Sequence, residues 1–367
     1  MKRILTLDGG GIRGIFSLQI LKRLEEMFRA ENGRPDLVLA DVIDMFAGTS
    51  TGAIIATYLS WGKSVAEIEE MYTKQGKEIF CLRNWLGRWR SKYRADTITK
   101  FFRSEFCEAD GSAATLGSKQ LRTKLLVVMR NATTGSPWPL TNNPNACFND
   151  RTLDDCNLNI PLWQLLRAST AAPTFFPPEE ILFGKQMFSF VDGGISPFGN
   201  PTLIAVLMAT LAPYRFCWPV GRDQLHVISI GTGSIRPHLP KKLPENVDLL
   251  DQIKFAIPAL IGSIAAEQDL ICRVIGDCIF GEALDSEIGD LLGPNLLASS
   301  EQKFTYVRYN QAFDAPSLRS IGPTPLRADL DDLSLMPALR DIGKAYAEQN
   351  LRQEHLRPRA PNPDRAR

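Results

Sequence analysis

The first residue that could do chemistry is Ser50, which lies in the glycine-flanked stretch GTSTG at residues 48–52. In a G-x-S-x-G elbow, small residues such as Gly48 and Gly52 let the backbone turn sharply from a strand into a helix, which exposes the serine hydroxyl above the sheet. A structural role is equally open, because serine and threonine are ordinary helix N-caps and glycine is common in tight turns. GTSTG alone therefore allows a nucleophile or a helix cap.

The second candidate is the glycine loop DGGGIRG at residues 8–14. Glycines can present backbone N–H groups to an oxyanion without obstruction by a Cβ atom, which makes Gly9, Gly10 and Gly11 candidate oxyanion-binding residues. Arg13 could orient this loop or attract an anionic head group. The loop also matches the G-x-G-x-x-G dinucleotide fingerprint. However, Asp8 would place a carboxylate beside the pyrophosphate, so the dinucleotide interpretation is disfavoured.

The third candidate is Asp192, which follows a strand-like run and precedes two glycines. Asp-Gly turns are common, but a carboxylate beside Ser50 could accept the serine proton and return it to the leaving oxygen. A hydrolase triad in this order would need a histidine after the acid. His226 begins a predicted buried strand, His238 lies between prolines, and His355 is near the end of the sequence. A Ser-Asp catalytic dyad therefore fits the sequence better than a triad.

These motifs lie among alternating strand-like and helix-like segments. Strands are predicted at residues 4–7, 42–47, 125–129, 188–191 and 226–230, and helices at residues 15–28, 53–59, 162–169 and 202–211. Short apolar runs that alternate with segments of helical period are typical of an α/β fold with helices on both faces of one sheet.

The composition argues against several classes of protein. With 42 basic and 41 acidic side chains, the net charge of +1 gives no overall field that would concentrate DNA or RNA. The seven cysteines form no CxxC pair and the three histidines no ligand-spaced cluster, so neither a metal site nor a disulfide framework is expected. The start resembles no secretory signal, and the apolar stretches look shorter than the roughly 20 residues that cross a bilayer. These features predict a soluble, cytoplasmic protein with at most peripheral membrane contact.

Four stretches in this order, DGGGIRG, GTSTG, RASTAAPTFFPP at residues 167–178 and DGG at residues 192–194, resemble the motifs of the patatin-like phospholipases. The resemblance covers about residues 1–235. It implies a three-layer α/β fold with a central, mostly parallel sheet, and hydrolysis of glycerophospholipid acyl esters through an acyl-serine intermediate, without a metal or organic cofactor. It further implies that Ser50 is the nucleophile and Asp192 the base. The oxyanion loop would comprise Gly9, Gly10, Gly11 and Arg13.

Within that family, the chain is similar to the compact CapV-like bacterial members, which a cyclic dinucleotide activates in anti-phage defence. The similarity lies in a first strand that begins at once, the lack of a signal and a C-terminal helical extension. It implies a cyclic dinucleotide as activator and the inner membrane face as the place of action. No phosphate-binding motif in the sequence supports the activator independently.

The resemblance and the composition together predict one domain over residues 1–350, with a catalytic core at 1–235 and a helical elaboration at 236–350. Residues 351–367 are rich in proline and arginine and are predicted to be a disordered tail. Residues 248–275 are predicted to be largely helical, with an interruption at Pro258, and residues 304–309 to form a strand. The apolar part of that helical segment could be core, an oligomer contact in a homo-oligomer, or a lid, and core packing is favoured.

A basic-aromatic segment at residues 83–103 interleaves tryptophans with arginines that include Arg88 and Arg90. Aromatic residues at four-residue spacing are typical of a helix face packed on the core. The functional alternative is that Arg88 and Arg90 bind anionic lipid or the phosphates of an activator.

Three functions remain in competition at this point. A lipid acyl hydrolase is favoured, a hydrolase or acyltransferase of soluble esters could use the same site, and a catalytically idle nucleotide-binding module could use the glycine loop.

Overall fold

In the computed structural model, the described residues are 1–79, 95–234, 249–285, 287–292, 297–313 and 332–357. Within them a single nine-stranded sheet forms the centre of the molecule. The strands are β1 Lys2–Leu7, β2 Met45–Thr49, β3 Lys124–Asn131, β4 Pro137–Thr141, β5 Glu179–Phe183, β6 Gln186–Asp192, β7 Leu225–Ile230, β8 Asp277–Phe280 and β9 Thr305–Tyr309.

Helices cover both faces of this sheet. They are α1 Gly14–Asn32, α2 Thr51–Ser60, α3 Val65–Ile79, α4 Ala95–Glu105, α5 Leu162–Ser169, α6 Thr202–Thr210, α7 Leu249–Ile275 and α8 Met336–Asn350. All the strands and helices that the sequence predicts before residue 235 are present, although β2 begins three residues later than expected because Leu39–Asp41 forms a 3-10 turn.

The sheet runs in the order β5, β6, β3, β2, β1, β7, β9, β8, and β4 also pairs with β3. The strands β3, β2, β1, β7, β9 and β8 are mutually parallel, whereas β4, β5 and β6 run antiparallel to their neighbours. The prediction of an α/β fold with a central, mostly parallel sheet is confirmed.

Alternation of side chains along the strands divides the core into two layers. On β1, Leu5 and Leu7 pack into the larger cluster, which includes residues of α1, α2, α5 and α8. Ile4 points to the other face and packs with residues of α6 and α7. The central strands are apolar on both faces because helices cover both, as expected for a parallel sheet.

The C-terminal region contains the predicted strand at residues 304–309, here β9 Thr305–Tyr309, and one further strand, β8, that was not expected. It adds β8 and β9 to the main sheet, beside β7. The helix α7 runs without interruption through Pro258. Proline removes only one backbone donor, and the surrounding turn is exposed, so water can satisfy the carbonyl that loses its partner.

Two expectations about α7 itself are wrong. Core packing is contradicted in its first half, because residues 256–258 and 260–263 are exposed. The apolar stretch is also longer than expected, since Phe255–Ile275 is 21 residues and suffices by length and composition to cross a membrane.

The prediction of a disordered tail from residue 351 is wrong for its first part. Leu351 and Leu356 are buried, and Gln353–Leu356 forms a 3-10 turn. The imidazole Nδ1 of His355 lies 2.8 Å from the hydroxyl of Tyr309 on β9, which fixes this turn against the sheet. The composition of the segment predicts disorder, but the burial of Leu351, His355 and Leu356 is enough to order residues 351–356.

Several predicted features lie outside the described residues. They are Arg88 and Arg90 of the basic-aromatic segment, His238 with the surrounding proline-rich connection, and the tail after residue 357.

Candidate active site

Ser50 occupies the sharp turn between β2 and α2. Its φ and ψ angles are 54° and −125°, in the left-handed half of backbone space that side chains rarely adopt. The flanking glycines are required by close packing: a Cβ atom at Gly48 would lie 2.2 Å from the carbonyl oxygen of Gly52, and one at Gly52 would lie 2.2 Å from that of Leu7. The strand-turn-helix geometry of the predicted elbow is therefore present.

The topology of β3 brings β2 and β6 together at their carboxyl ends. On β3, Val128 pairs with Thr49 of β2 and with Pro139 of β4, so these two strands occupy opposite edges. The next residue, Met129, pairs again with β4 and also with Asp192 of β6. At Met129, β4 pairs with one edge of β3, so β6 must pair with the other edge. That is the edge that β2 occupies up to Val128. Asp192 therefore follows directly beyond the end of β2, where Ser50 begins its turn.

This arrangement places the two candidate side chains in direct contact. The Oγ of Ser50 donates a hydrogen bond to Oδ2 of Asp192 at 2.6 Å. The other carboxylate oxygen, Oδ1, accepts from the backbone N–H of Gly194 at 2.6 Å. Burial raises the pKa of Asp192 from 3.8 to about 6, and the two donors partly oppose that rise. The carboxyl group is thus mainly ionised at neutral pH and more basic than an exposed aspartate.

The turn is braced by a serine that the sequence did not single out. Ser169, at the end of α5, accepts a hydrogen bond from the backbone N–H of Ser50 at 3.0 Å and donates to the carbonyl of Val128 at 2.6 Å. It lies in the RASTAAPTFFPP stretch, so that stretch was the available signal. Thr49 adds a second brace by donating to the carbonyl of Phe198 at 2.6 Å.

The glycine loop packs against the nucleophile turn. A Cβ atom at Gly9 would lie 3.3 Å from Cβ of Ser50, so the two segments are in contact. The N–H of Gly9 donates to the carbonyl of Gly199 at 3.1 Å and is thereby occupied. Within the described ranges, the N–H groups of Gly10 and Gly11 have no hydrogen-bond acceptor. Of the three predicted oxyanion donors, Gly9 thus differs from Gly10 and Gly11 in having its N–H bound within the protein.

Other contacts fix the shape of this loop. Thr51 and Tyr72 both donate from their hydroxyls to the carbonyl of Gly11, whose φ is 57°. Arg13 donates from Nη1 to the carbonyl of Gly233 at 2.9 Å and from Nε to that of Gly10 at 3.3 Å. Of the two roles expected for Arg13, the contacts therefore fit the orientation of the loop.

Gly10 offers a direct test of how tightly the loop is held. A Cβ atom there would lie 2.2 Å from Oγ1 of Thr232, so Gly10→Ala must displace the loop. A shift of about 1 Å near reacting groups can cost about 100-fold in rate, and we expect a loss of about that size in kcat/KM for a short-chain ester. The double variant with Thr232→Gly, which removes the clashing side chain, should recover part of this loss. Equal activity of Gly10→Ala and the parent would contradict the proposed role of the loop.

Asp8 begins the glycine loop and forms a buried ion pair. Both of its carboxylate oxygens accept from Arg308 on β9, at 3.0 Å and 2.5 Å. Arg308 also donates to Oγ of Ser229 at 2.7 Å. Burial opposes the charge on the guanidinium, but Asp8 outweighs this effect and raises the pKa of Arg308. The loop is thus tied to a strand 300 residues away, which no local motif could indicate.

We expect Arg308→Met to lower the free energy of unfolding by roughly 3–5 kcal/mol, because it leaves the Asp8 carboxylate buried without its cation. Arg308→Lys should cost less, since lysine keeps the charge but not the bidentate geometry. Chemical denaturation of both variants and of the double variant Asp8→Asn/Arg308→Met measures the effect. If the pair matters, the double variant is less destabilised than the sum of the single changes. An unfolding midpoint for Arg308→Met equal to that of the parent would show that the pair is dispensable.

The two histidines that the structure describes lie in other parts of the fold. His226 lies in β7 between Arg3 of β1 and Thr305 of β9, where burial lowers its pKa to about 3. His355 contacts Tyr309. Neither of these two histidines is a hydrogen-bond partner of Ser50 or Asp192.

A model of the patatin-like phospholipase family matches residues 5–206 of this chain. The cGAMP-activated phospholipase of Escherichia coli (strain TW11681) is 30% identical over 233 residues, which are 63% of this chain and 62% of that protein. The cGAMP-activated phospholipase of Vibrio cholerae serotype O1 (strain ATCC 39315 / El Tor Inaba N16961) is 29% identical over 217 residues, 56% of each chain.

A further relative, named "Probable inactive patatin-like protein 9" of Arabidopsis thaliana, is 28% identical over 241 residues, 63% of this chain and 60% of that protein. The chain thus spans about three fifths of the length of the curated relatives that it matches. The family match contains the glycine loop, the elbow and Asp192, and it covers more than half of the sequence. The chain belongs to the patatin-like phospholipase family.

Proposed function

We propose that this protein is a lipid acyl hydrolase that cleaves acyl esters of glycerophospholipids through a Ser50–Asp192 dyad. The observation that carries the proposal is the 2.6 Å hydrogen bond from Oγ of Ser50 to Oδ2 of Asp192. A serine attacks an acyl carbon readily only when a base within hydrogen-bond reach accepts its proton. Asp192, with a pKa of about 6, is ionised at neutral pH and can serve as that base.

In the first step, Oγ of Ser50 attacks the ester carbonyl carbon while its proton moves to Oδ2 of Asp192. The carbonyl oxygen becomes an oxyanion, which the N–H groups of Gly10 and Gly11 can bind. The amino-terminal end of α2, which starts at Thr51, adds favourable dipoles for the same charge. Collapse of the tetrahedral intermediate breaks the bond to the alcohol oxygen, which takes the proton from Asp192 as it leaves.

The acyl-serine that remains is hydrolysed by the same groups in a second step. Asp192 accepts a proton from water as the hydroxide oxygen attacks the acyl carbon, and the oxyanion again lies against the glycine loop. Collapse then breaks the bond to Ser50, whose oxygen recovers the proton from Asp192. The hydrogen bond from Gly194 keeps the carboxylate in place during both rounds.

Membership of the patatin-like phospholipases favours a phospholipid substrate over soluble esters. Family membership does not itself establish turnover, since one relative is named as inactive. The test is hydrolysis of defined phosphatidylcholine vesicles by the purified chain, with products identified by mass spectrometry and Ser50→Ala as control. Release of fatty acid and lysophospholipid supports the proposal. Hydrolysis of short-chain soluble esters with intact vesicle lipid would favour the soluble-ester alternative.

The nucleotide-binding alternative is weakened by Asp8, whose carboxylate lies at the start of the glycine loop and is occupied by Arg308. A fluorophosphonate probe separates the two cases, because it reacts readily only with an activated serine. Stoichiometric labelling of Ser50 would exclude an idle nucleotide-binding module.

We further propose that a cyclic dinucleotide activates this chain at the inner membrane face, because two relatives are cGAMP-activated phospholipases. Vesicle hydrolysis with cGAMP, with a panel of other cyclic dinucleotides and without any nucleotide tests this proposal. Arg88 and Arg90 are candidates for binding the activator or anionic lipid, so Arg88→Gln/Arg90→Gln should weaken the response. A variant with the full nucleotide response and full binding to anionic vesicles would remove these two residues from the proposal.

A further inference from the structure

The middle of α7, residues 255–266, is an apolar segment in which seven described residues, 256–258 and 260–263, are exposed. Its side chains Ile257, Leu260 and Ile261 expose 54%, 63% and 38% of their surface. The segment contains no charged residue. At about 100° per residue, these three side chains lie within an arc of about 100°, so they share one face of the helix. We call them the aliphatic face of α7.

The inner half of α7 is firmly attached to the body of the protein. Asp269 accepts from Arg273 at 3.0 Å and 2.7 Å and from the hydroxyl of Tyr306 at 2.9 Å. Arg273 also donates to the carbonyls of Glu282 and Asp290 at 2.7 Å. These contacts hold the second half of α7 against the sheet, and the aliphatic face lies on the part of the helix before them.

The direction of α7 places this face at the active-site edge of the sheet. The helix ends just before β8, which is parallel to the strands that carry Ser50 and the glycine loop. Its 27 residues span about 40 Å, whereas a five-residue strand spans about 17 Å. The start of α7 thus extends beyond the carboxyl ends of the strands, where Ser50 lies.

A contact near the glycine loop supports this placement. The carbonyl of Ala265 on α7 accepts from Nδ2 of Asn200 at 3.5 Å. The residue before Asn200, Gly199, accepts from the N–H of Gly9 at 3.1 Å. Two consecutive residues therefore connect α7 to the glycine loop.

We propose that the aliphatic face of α7 docks on the surface of a lipid bilayer and thereby holds the Ser50 edge of the sheet against the membrane. The proposal rests on the proposed function only in naming the bilayer as the source of substrate. An uncharged aliphatic face can enter the boundary between head groups and acyl chains without a complementary shape on the other side.

Two other occupants fit this face less well. Three side chains fall far short of the roughly 20–30 residues on each side of a standard protein interface, so a second copy of the chain is disfavoured. A full membrane crossing by Phe255–Ile275 is disfavoured although its length suffices. Its second half carries Glu267, Asp269 and Arg273, and the hydrogen bond from Tyr306 of β9 to Asp269 would have to break.

The experiment measures binding of Ser50→Ala protein to neutral phosphatidylcholine vesicles by co-sedimentation, so that no turnover alters the lipid. Leu260→Gln is the test variant, and Ile257→Gln/Leu260→Gln/Ile261→Gln the stronger one. The matched control is Leu182→Gln on β5, a different element from α7, whose leucine side chain is similarly exposed at 59%. We expect about a fivefold or greater loss of binding for Leu260→Gln, a larger loss for the triple variant, and no change for Leu182→Gln.

Salt separates this surface from the basic-aromatic segment. Docking through uncharged side chains should persist in about 1 M salt, where the screening length is about 3 Å. Binding that requires anionic lipid and disappears in salt would overturn the proposal, as would equal losses for Leu260→Gln and Leu182→Gln. So would a dimer that Leu260→Gln dissociates while vesicle binding is unchanged. None of these outcomes depends on whether Ser50 is a nucleophile, so the docking surface and the proposed hydrolase can fail separately.

Discussion

Replacing Ser50 by alanine is expected to lower kcat/KM for phospholipid and for short-chain esters by at least about 10⁴-fold, because no other hydroxyl lies at the elbow with a carboxylate beside it. The fold should survive, since alanine removes only the Oγ atom. The Asp192 carboxylate would keep its hydrogen bond from Gly194. Steady-state kinetics and thermal denaturation of the two proteins measure both effects.

A matched control for Ser50→Ala is Ser196→Ala. Ser196 is a buried serine four residues after Asp192, and its hydroxyl donates to the carbonyl of Gly193 at 2.6 Å. The control therefore loses a nearby buried hydrogen bond without touching the dyad. If Ser50→Ala kept more than about a tenth of the parental activity, the nucleophile would have to be sought elsewhere.

Replacing Asp192 by asparagine should have the second-largest effect on activity, a loss of about 10³-fold in kcat/KM, within the range that general base catalysis supplies. Asparagine keeps an oxygen that can accept from Gly194, and its amide can donate to Oγ of Ser50. The variant should therefore fold normally and lack only the proton acceptor. Undiminished turnover in Asp192→Asn would return the search to the histidines.

The same substitution should change the dependence of stability on pH. The folded carboxyl has a pKa of about 6, above its ordinary value of 3.8, so the folded state holds the proton more tightly than the unfolded state. Stability contributed by this proton is complete below pH 4 and is lost as pH rises through 6. Asparagine does not titrate, so the stability of Asp192→Asn relative to the parent should rise between pH 4 and pH 8, by up to about 3 kcal/mol. Denaturant unfolding at both pH values measures the difference in free energy of unfolding between the two proteins. The same difference at pH 4 and pH 8 would show that burial does not raise the pKa of Asp192.

The short-range parts of the site could be predicted from sequence because each depends on neighbouring residues. GTSTG predicts its turn because Gly48 and Gly52 are the residues that such close backbone packing admits. The glycine loop is similarly local. From the sequence, the pairing of Ser50 with Asp192 is a hypothesis. In the structure, the two residues meet because β2 and β6 pair with the same edge of β3, and this depends on how β2, β4 and β6 are aligned along β3.

The parts that could not be predicted depend on contacts between distant segments. No local pattern indicates that Arg308 neutralises Asp8 or that Ser169 braces the elbow. The exposure of α7 was also missed, because an apolar helical run has the same sequence pattern whether a core covers it or not. In the tail, Leu356 is buried although its neighbours are polar and proline-rich.

Direct proton transfer between Ser50 and Asp192 is tested most directly by the pH dependence of fluorophosphonate labelling of Ser50, followed by intact mass in the parent and in Asp192→Asn. In the parent, the labelling rate should fall about tenfold per pH unit below a pKa of about 6. In Asp192→Asn, it should be about 10³-fold slower at pH 8 and show no such inflection. The same rate and the same inflection in both proteins would contradict the dyad, because the titrating base would then be another group.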